Sequence, residues 1–212
     1  MLLYLVRHGE TDWNLQRRIQ GSTDIPLNET GREQAVATGR LLARRRWDAI
    51  YSSPLSRAME TGELIARELG MPGPIPVETL VERNYGEAEG LADPELSQRF
   101  PEGSEVPGRE SREEVVARVF PALMQLAEEH PDQAVLVVSH GGVIRSILSV
   151  VDPDRDHGRI ANGSVHSFRH DNGSFELIAF NDPIEEESLE PGAPGLDEQN
   201  AIEGREDAGV RR

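Results

Sequence analysis

The 212-residue chain has no cysteine, which excludes a disulfide framework, a thiol nucleophile and a thiolate metal site. It has no lysine either: all 22 of its basic residues are arginine. Schiff-base chemistry and the lysine of a nucleotide-binding P-loop are thereby removed, and only Arg and His can hold an anion. No apolar run is long enough to span a bilayer. The opening Leu2-Leu3-Tyr4-Leu5-Val6 is too short for a signal-peptide core and has no basic stretch before it, so a cytoplasmic protein is expected. Positive charge is scarce, at a formal net charge of −16. A field of that sign repels nucleic acid and anionic membranes as partners, and an anionic substrate must meet a local basic pocket.

Aromatic residues make up 5% of the chain, and none follows Phe180. From Asp182 onward acids, Gly and Pro dominate, with ten acids against three arginines, so this stretch carries −7 of the −16. Residues 182–212 are therefore expected to form an acidic disordered tail behind one folded domain spanning 1–181. Within that domain β-like apolar runs alternate with helical patterns. This predicts an α/β three-layer sandwich, a mostly parallel central sheet with an antiparallel edge strand and helices on both faces. The predicted strands are Leu2 to Val6, Ala49 to Ser52, Ala134 to Ser139, Val165 to Arg169 and Phe175 to Phe180. Asn172-Gly173 favours a type I′ turn between the last two. Thr30 to Glu33 and Ser111 to Glu114 read as capping boxes, Ser53-Pro54 as another helix start, and Pro121 as a kink in the helix after Ser111.

Open α/β sheets bind ligands beyond the carboxyl ends of their strands. Here the first strand runs into Arg7-His8-Gly9-Glu10, the second into a helix whose first turn carries Arg57, and the third into His140-Gly141-Gly142. Parallel strands would raise Arg7, His8, Arg57 and His140 at one sheet edge as a cationic pocket, with glycines that let backbone amides approach an oxyanion. Taken singly, each residue has a plainer reading as a core histidine, a surface charge or a salt-bridge partner. Their joint placement favours the pocket, because buried cations without an anion are costly.

The stretch Leu5-Val6-Arg7-His8-Gly9-Glu10-Thr11 resembles the signature of the histidine phosphatase superfamily, the phosphoglycerate-mutase-like proteins. Further segments are similar in order: Asn14, Gln20-Gly21, Asp24 to Leu27, Thr30 to Ala35, Ser52-Ser53-Pro54-Leu55-Ser56-Arg57-Ala58 to Thr61, Glu82 to Gly86 with Glu89-Gly90, Ser139 to Gly142, and Asn162 to Val165. The resemblance covers roughly residues 1 to 181. It implies a phosphohistidine intermediate on His8, no metal and no other cofactor. In that frame Arg7, Arg57 and protonated His140 hold the phosphoryl oxygens, and Glu82 gives the leaving group its proton. Imidazole suits a nucleophile at neutral pH if one ring nitrogen is pinned and the other faces phosphorus. Asn14, Gln20, Gly21 and Gly141 are candidates to line the phosphate, with loop capping the alternative for Gln20 and Gly21. Arg83 and Tyr85 resemble positions where mutases grip a substrate carboxylate, or else pack a loop.

His157, His166 and His170 have no spacing that suggests a metal site. The insert Asn84 to Arg109 is short, which favours the phosphatase branch, although Arg109 stands where phosphatases often have a second glycine. A phosphomonoesterase acting on a small-molecule phosphate ester is therefore expected. A phosphoglycerate mutase and a non-catalytic phosphate-binding module remain as alternatives, and homodimerisation is left open.

Overall fold

A computed structural model of the chain describes residues 1–182 and Ile202. Its six strands are β1 (Leu2–Arg7), β2 (Ala49–Ser52), β3 (Ile75–Pro76), β4 (Ala134–Ser139), β5 (Val165–Asp171) and β6 (Ser174–Ala179). They form one sheet in the order β3-β2-β4-β1-β5-β6. β1, β2, β3 and β4 pair in parallel, while β5 runs antiparallel to β1 and forms a hairpin with β6 at that edge. Asn172 and Gly173 in its turn both have positive φ, 49° and 81°, as a type I′ turn requires.

Helices α1 (Asp12–Leu15), α2 (Glu29–Leu42), α3 (Ser56–Leu69), α4 (Asp93–Arg99), α5 (Arg112–Glu129) and α6 (Gly141–Val151) complete the described elements with two short 3-10 turns. Strands β1 and β4 are apolar up to their last residues, Arg7 and Ser139, because they are covered on both faces. Leu3, Leu5, Val135 and Val137 pack against Val115, Val119 and Leu123 of α5 and Val143, Ile144 and Ile147 of α6. The alternate residues Tyr4, Val6, Leu136 and Val138 pack against Leu42 of α2 and Ala58 and Ile65 of α3. This is the expected three-layer arrangement. A third, separate apolar cluster gathers Ile19, Tyr85, Ala88, Leu96, Phe100 and Val106, and it caps the carboxyl edge of the sheet.

Several helix boundaries differ from the sequence reading for identifiable reasons. The start of α2 is capped by Asn28, whose Oδ1 accepts from Gly31 N at 2.9 Å, so the Thr30 capping box is displaced by a better N-cap two residues earlier. α2 ends at Leu42. Ser53 caps no helix: α3 begins at Ser56 behind Leu55, and the Ser53 hydroxyl is used at the site described below. The Ser111 capping box is present, and α5 continues through Pro121 from Arg112 to Glu129. The strand β3 and the helices α1 and α4 have too few periodic residues to be read from sequence. Of the expected tail, only Asp182 and Ile202 fall within the described residues, so its expected disorder lies outside them; Ile202 itself is 2% exposed and belongs to the third apolar cluster.

Candidate active site

The register of the sheet brings the strand-end residues together. Arg7 pairs with Ser139 across β1 and β4, and Ser52 pairs with Val138 across β2 and β4, so three strands end at one level. His8 N then donates to Ser139 O at 3.0 Å, and Ser53 N to Val138 O at 2.9 Å, which carries the alignment one residue past the strands. The chain emerges there as His8, as the α3 first turn with Arg57, and as His140 at the start of α6. Arg7, His8, Arg57 and His140 are all fully buried, and the two imidazoles lie 5.2 Å apart between ring centroids.

Arg7, His8 and Arg57 are fixed by main-chain carbonyls and His140 by a side-chain hydroxyl. His8 Nδ1 lies 2.7 Å from Gly9 O, which sets the tautomer with hydrogen on Nδ1 and leaves a lone pair on Nε2. His8 Nε2 is buried and has no hydrogen-bond partner among the described residues. Gly9 is itself held, since its N donates to Thr61 Oγ1 at 3.0 Å, while the Thr61 hydroxyl donates to Arg57 O at 2.7 Å. Arg7 donates from Nη1 to Ile160 O at 2.6 Å. Arg57 donates to Thr23 O at 2.9 Å and Gly21 O at 2.7 Å. His140 Nε2 is 2.7 Å from Ser53 Oγ, which turns Nδ1 inward, again buried with no partner among the described residues. The same holds for both side-chain polar atoms of buried Gln20 and for Arg57 Nε. Buried polar atoms are ordinarily satisfied. Several orphaned at one strand edge are what a polyoxygen anion such as phosphate would complete.

The electrostatics fit a neutral nucleophile. Burial, then Arg57 and Arg7, hold the His8 pKa well below its ordinary 6.5, against a smaller opposing effect of the Gly9 carbonyl. His140 is likewise lowered, by burial, then Arg57, His8, Arg7 and Arg118. The protein's own groups thus favour a neutral His140, where a cation was expected; a phosphate dianion among these groups acts in the opposite direction. Burial also lowers Arg57, to about 10, partly offset by Glu82 and Asp24.

Glu82 sits beside the start of α6. Its Oε1 accepts from Arg83 N at 2.7 Å and Val143 N at 3.1 Å, and its Oε2 from Gly142 N at 3.1 Å. Burial raises its pKa above the ordinary carboxyl range, outweighing those amides and the arginines. That is the direction a proton donor needs. Arg118 of α5 steadies the segment before it, donating to Thr79 O, Val81 O and Glu82 O at 2.6, 2.8 and 3.2 Å and pairing with Glu110 at 2.7 Å. Arg83 and Tyr85 are buried next to Glu82: a Cβ on Gly142 would lie 2.8 Å from both Glu82 Oε1 and Tyr85 Oη and 3.2 Å from Arg83 Cβ.

A family model described as the histidine phosphatase superfamily (branch 1) matches residues 3–183. The chain belongs to the histidine phosphatase superfamily. It is 38% identical over 180 residues to an uncharacterised phosphatase, PhoE, of Bacillus subtilis, covering 84% of this chain and 92% of that one. A metal-independent phosphoserine phosphatase of Arabidopsis thaliana is 39% identical over 77% of this chain and 74% of its own length. A 2,3-bisphosphoglycerate-dependent phosphoglycerate mutase of Methylobacterium is 36% identical over 71% and 80%. Among solved structures, the mycobacterial glucosyl-3-phosphoglycerate phosphatase with VO3 superposes at a TM-score of 0.77, with 29% identity over 85% of this chain and 98% of that one. A phosphoserine phosphatase of Entamoeba histolytica does so at 0.73, with 29% identity over 86% and 97%. The protein is thus an enzyme of the histidine phosphatase family. Among the described residues, no helix is long and apolar enough to cross a membrane.

Within this histidine phosphatase site the lesser candidates divide. Gln20 is fully buried with its amide uncommitted among the described residues. The Asn14 amide oxygen is taken by the cap of α1, through Thr11 N and Thr11 Oγ1 at 3.1 Å and Asn162 Nδ2 at 3.3 Å, so only its NH2 group can serve an anion. Gly21 turns its carbonyl to Arg57 and so anchors that guanidinium. Gly141 opens α6 next to His140. Four contributors escaped the sequence reading as functional residues: Ser53 on His140, Thr61 on Gly9, Arg118 under Glu82, and Glu89. Three of them lie inside motifs whose other members were singled out. Arg118 carries no signal of its own, since a helical arginine reads as a surface charge.

Proposed function

We propose that the protein is a metal-independent phosphomonoesterase that hydrolyses small phosphorylated metabolites through a phosphohistidine on His8. The observation that carries this reading is the state of His8: neutral, pinned at Nδ1 by Gly9 O, with Nε2 unengaged among the described residues in a buried cage of two arginines and a second histidine. In the first step the Nε2 lone pair attacks phosphorus and the P–O ester bond breaks, while Glu82 protonates the leaving alkoxide. In the second, water attacks phosphorus as Glu82, now a carboxylate, takes its proton; the new P–O bond forms, the P–N bond breaks, and inorganic phosphate leaves with His8 restored. Arg7, Arg57 and His140 match the charge that spreads over the equatorial oxygens in each step.

The second reading is a mutase, favoured by the burial of Arg83 and Tyr85 beside Glu82, where they could grip a substrate carboxylate. A mutase re-phosphorylates a retained product and so must exclude water. The short insert Asn84 to Arg109 supports the hydrolase instead. A phosphate-binding module without catalysis is disfavoured by the complete set Arg7, His8, Arg57, Glu82 and His140. One experiment separates the three. A panel of phosphate esters, including phosphoserine and 3-phosphoglycerate with a trace of 2,3-bisphosphoglycerate, is assayed for hydrolysis and isomerisation after exhaustive EDTA treatment, with rapid-quench trapping. Hydrolysis is expected to survive EDTA, with an acid-labile, base-stable phosphoenzyme that His8→Ala abolishes. Isomerisation exceeding hydrolysis tenfold in kcat/KM would overturn the hydrolase, and phosphate on another residue would overturn the nucleophile.

A further inference from the structure

Arg57 is a phosphate-cage cation anchored outside its own helix. Both of its terminal nitrogens donate to carbonyls of one short loop, Gly21 O at 2.7 Å and Thr23 O at 2.9 Å, more than thirty residues away in sequence. A loop whose carbonyls aim a guanidinium must itself be held. Asp24, next in the chain, fastens its end to α3 by accepting from Ser56 N at 2.8 Å and Ser56 Oγ at 2.7 Å, and the loop itself converges on Glu89, whose Oε1 accepts from Ser22 N at 2.9 Å and Ser22 Oγ at 3.1 Å and whose Oε2 accepts from Thr23 N at 2.9 Å and from the Thr23 hydroxyl. Glu89 Oε1 also accepts from Tyr85 N at 3.1 Å, on the segment that carries Glu82 and Arg83. The fit is close, since a Cβ on Gly21 would lie 2.0 Å from Glu89 Oε1.

The Gly21–Ser22 peptide is the centre of this arrangement. Its carbonyl accepts from Arg57 and its N–H donates to Glu89, so one peptide group stands between guanidinium and carboxylate. Hydrogen bonds in such a chain polarise one another. A carboxylate in direct contact with Arg57 would compete with the substrate's phosphate for the same N–H groups. Placed one peptide away, it supplies orientation and countercharge while leaving the guanidinium edge available to an anion.

We infer that Glu89 is a positioning residue that fixes the Arg57 guanidinium through the Gly21–Thr23 loop and ties that loop to the segment bearing Glu82. This rests on the phosphatase reading of the site. Glu89→Gln keeps the shape but places an NH2 group against at least one backbone N–H donor, so the loop loses a support. The expected result is a fall in kcat of roughly 10–100-fold, as misplacement of a cage group brings, with KM changed less than about threefold. Affinity for orthovanadate, a mimic of the trigonal transition state, should fall in parallel with kcat.

The deciding measurement is a double-mutant cycle. In an Arg57→Ala background Glu89→Gln should add less than about a twofold further loss, because the group it aims is gone. Equal factors in both backgrounds, or a lowered melting temperature with kcat retained, would overturn the inference in favour of a structural role. Glu89→Asp, which keeps the charge but cannot reach both N–H groups, should behave like Glu89→Gln; if neither variant folds, by circular dichroism melting, the positioning role is likewise overturned. Should the wild-type chain hydrolyse none of the esters tested, the phosphatase reading falls. Orthovanadate binding to the same four proteins of the cycle, measured by calorimetry, would still decide whether Glu89 acts through Arg57.

Discussion

The catalytic cage and the cap that covers it meet at Glu82, and they are held by different means. In the cage, Arg7 ends β1, His8, Arg57 and His140 follow strand ends by one or a few residues, and all four are aimed by main-chain carbonyls or a single hydroxyl. The sheet register fixes them, and β1 and β4 at its centre are almost wholly buried. In the cap, the segment from Asn84 to Arg109 has little regular structure, α4 and one 3-10 turn, and is tied to distant segments by isolated main-chain bonds, such as those between Ile19 and Gly90 and Leu91, and by side chains reaching across sequence: Glu89 to Ser22 and Thr23, and Arg18 Nη1 to Gly90 O. Its apolar cluster is small and separate from the two main cores. Under the proposed function, reaction type belongs to the cage, which the sheet holds, and selectivity to the cap, where isolated contacts between distant segments decide the conformation.

The largest expected effect breaks the cage through its backbone. Gly9 crosses α2 so closely that a Cβ would lie 2.3 Å from Gly31 O and 2.8 Å from Gly31 C, both main-chain atoms that cannot rotate away. Gly9→Ala must therefore displace the carbonyl that pins His8 Nδ1. We expect kcat to fall roughly 10³-fold, on the scale of losing a positioned catalytic group, with the phosphoenzyme burst reduced in parallel. A variant within tenfold of wild type would show that the pin on His8 is dispensable.

Next is the junction of the two regions. At Gly142 the crowding atoms are side-chain ends, Glu82 Oε1 and Tyr85 Oη, so they can shift where the Gly9 neighbours cannot. Gly142→Ala should cost about 10²-fold in kcat by moving the proton donor. Single-turnover rates check this against the leaving group. The loss should be greatest for esters of poorly acidic alcohols and smallest for p-nitrophenyl phosphate, whose leaving group needs no proton. A uniform loss across leaving groups would detach Glu82 from the donor role.

That ordering bears on how much the sequence disclosed. The cage residues were legible because strand, residue and glycine lie adjacent in the chain, as in Val6-Arg7-His8-Gly9 and Ser139-His140-Gly141. A mostly parallel sheet with an antiparallel edge, helices on both faces and the hairpin turn at Asn172-Gly173 followed from periodicity and turn chemistry, whereas the strand order did not. What was not legible depends on contacts between segments far apart in sequence. Ser53 looks like an N-cap until β2 and β4 bring it to His140, and Glu89 looks like a solvated acid until the Gly21 loop folds onto it. Arg118 is the extreme case, a helical charge whose partners are carbonyls 36 to 39 residues earlier.

Acid should distinguish the cage from the cap as well. His8 and His140 in the cage and His166 on the neighbouring β5 all have pKa values held below 6.5, His166 at about 3, with burial the first cause in each. Between those folded values and 6.5 the unfolded chain binds protons that the folded chain does not. Stability therefore rises with pH through this window and is lost as pH falls below 6.5, by up to about 1.4 kcal/mol per pH unit for each histidine. Glu82, raised above 4.5, has the opposite sign but is one group against three. The melting temperature should thus drop steadily between pH 7 and 5, while kcat of the folded fraction shows no inflection at 6.5. A flat melting temperature over that range would mean the imidazoles are charged in the folded protein.

The smallest expected effect on turnover comes from the edge of the cap farthest in sequence from the cage. Ile202 lies in the stretch that composition marks as an acidic tail, yet it is 2% exposed and packs with Ile19, Tyr85, Ala88, Leu96, Phe100 and Val106. Burying an isoleucine is worth about 1.5–3 kcal/mol, less the entropy of ordering the chain around it. Ile202→Ala should lower the melting temperature by a few degrees, and a chain ending at Asp182 should lose about as much, since both remove the same apolar contact. Because the cage is held by the sheet and not by this cluster, kcat toward p-nitrophenyl phosphate should stay within about threefold in either variant. KM for larger esters, which must pass the cap, should change more, through Tyr85 and Ile19. If instead kcat collapses in both variants with the melting temperature unchanged, the cap and the cage are one mechanical unit and the division between them does not hold.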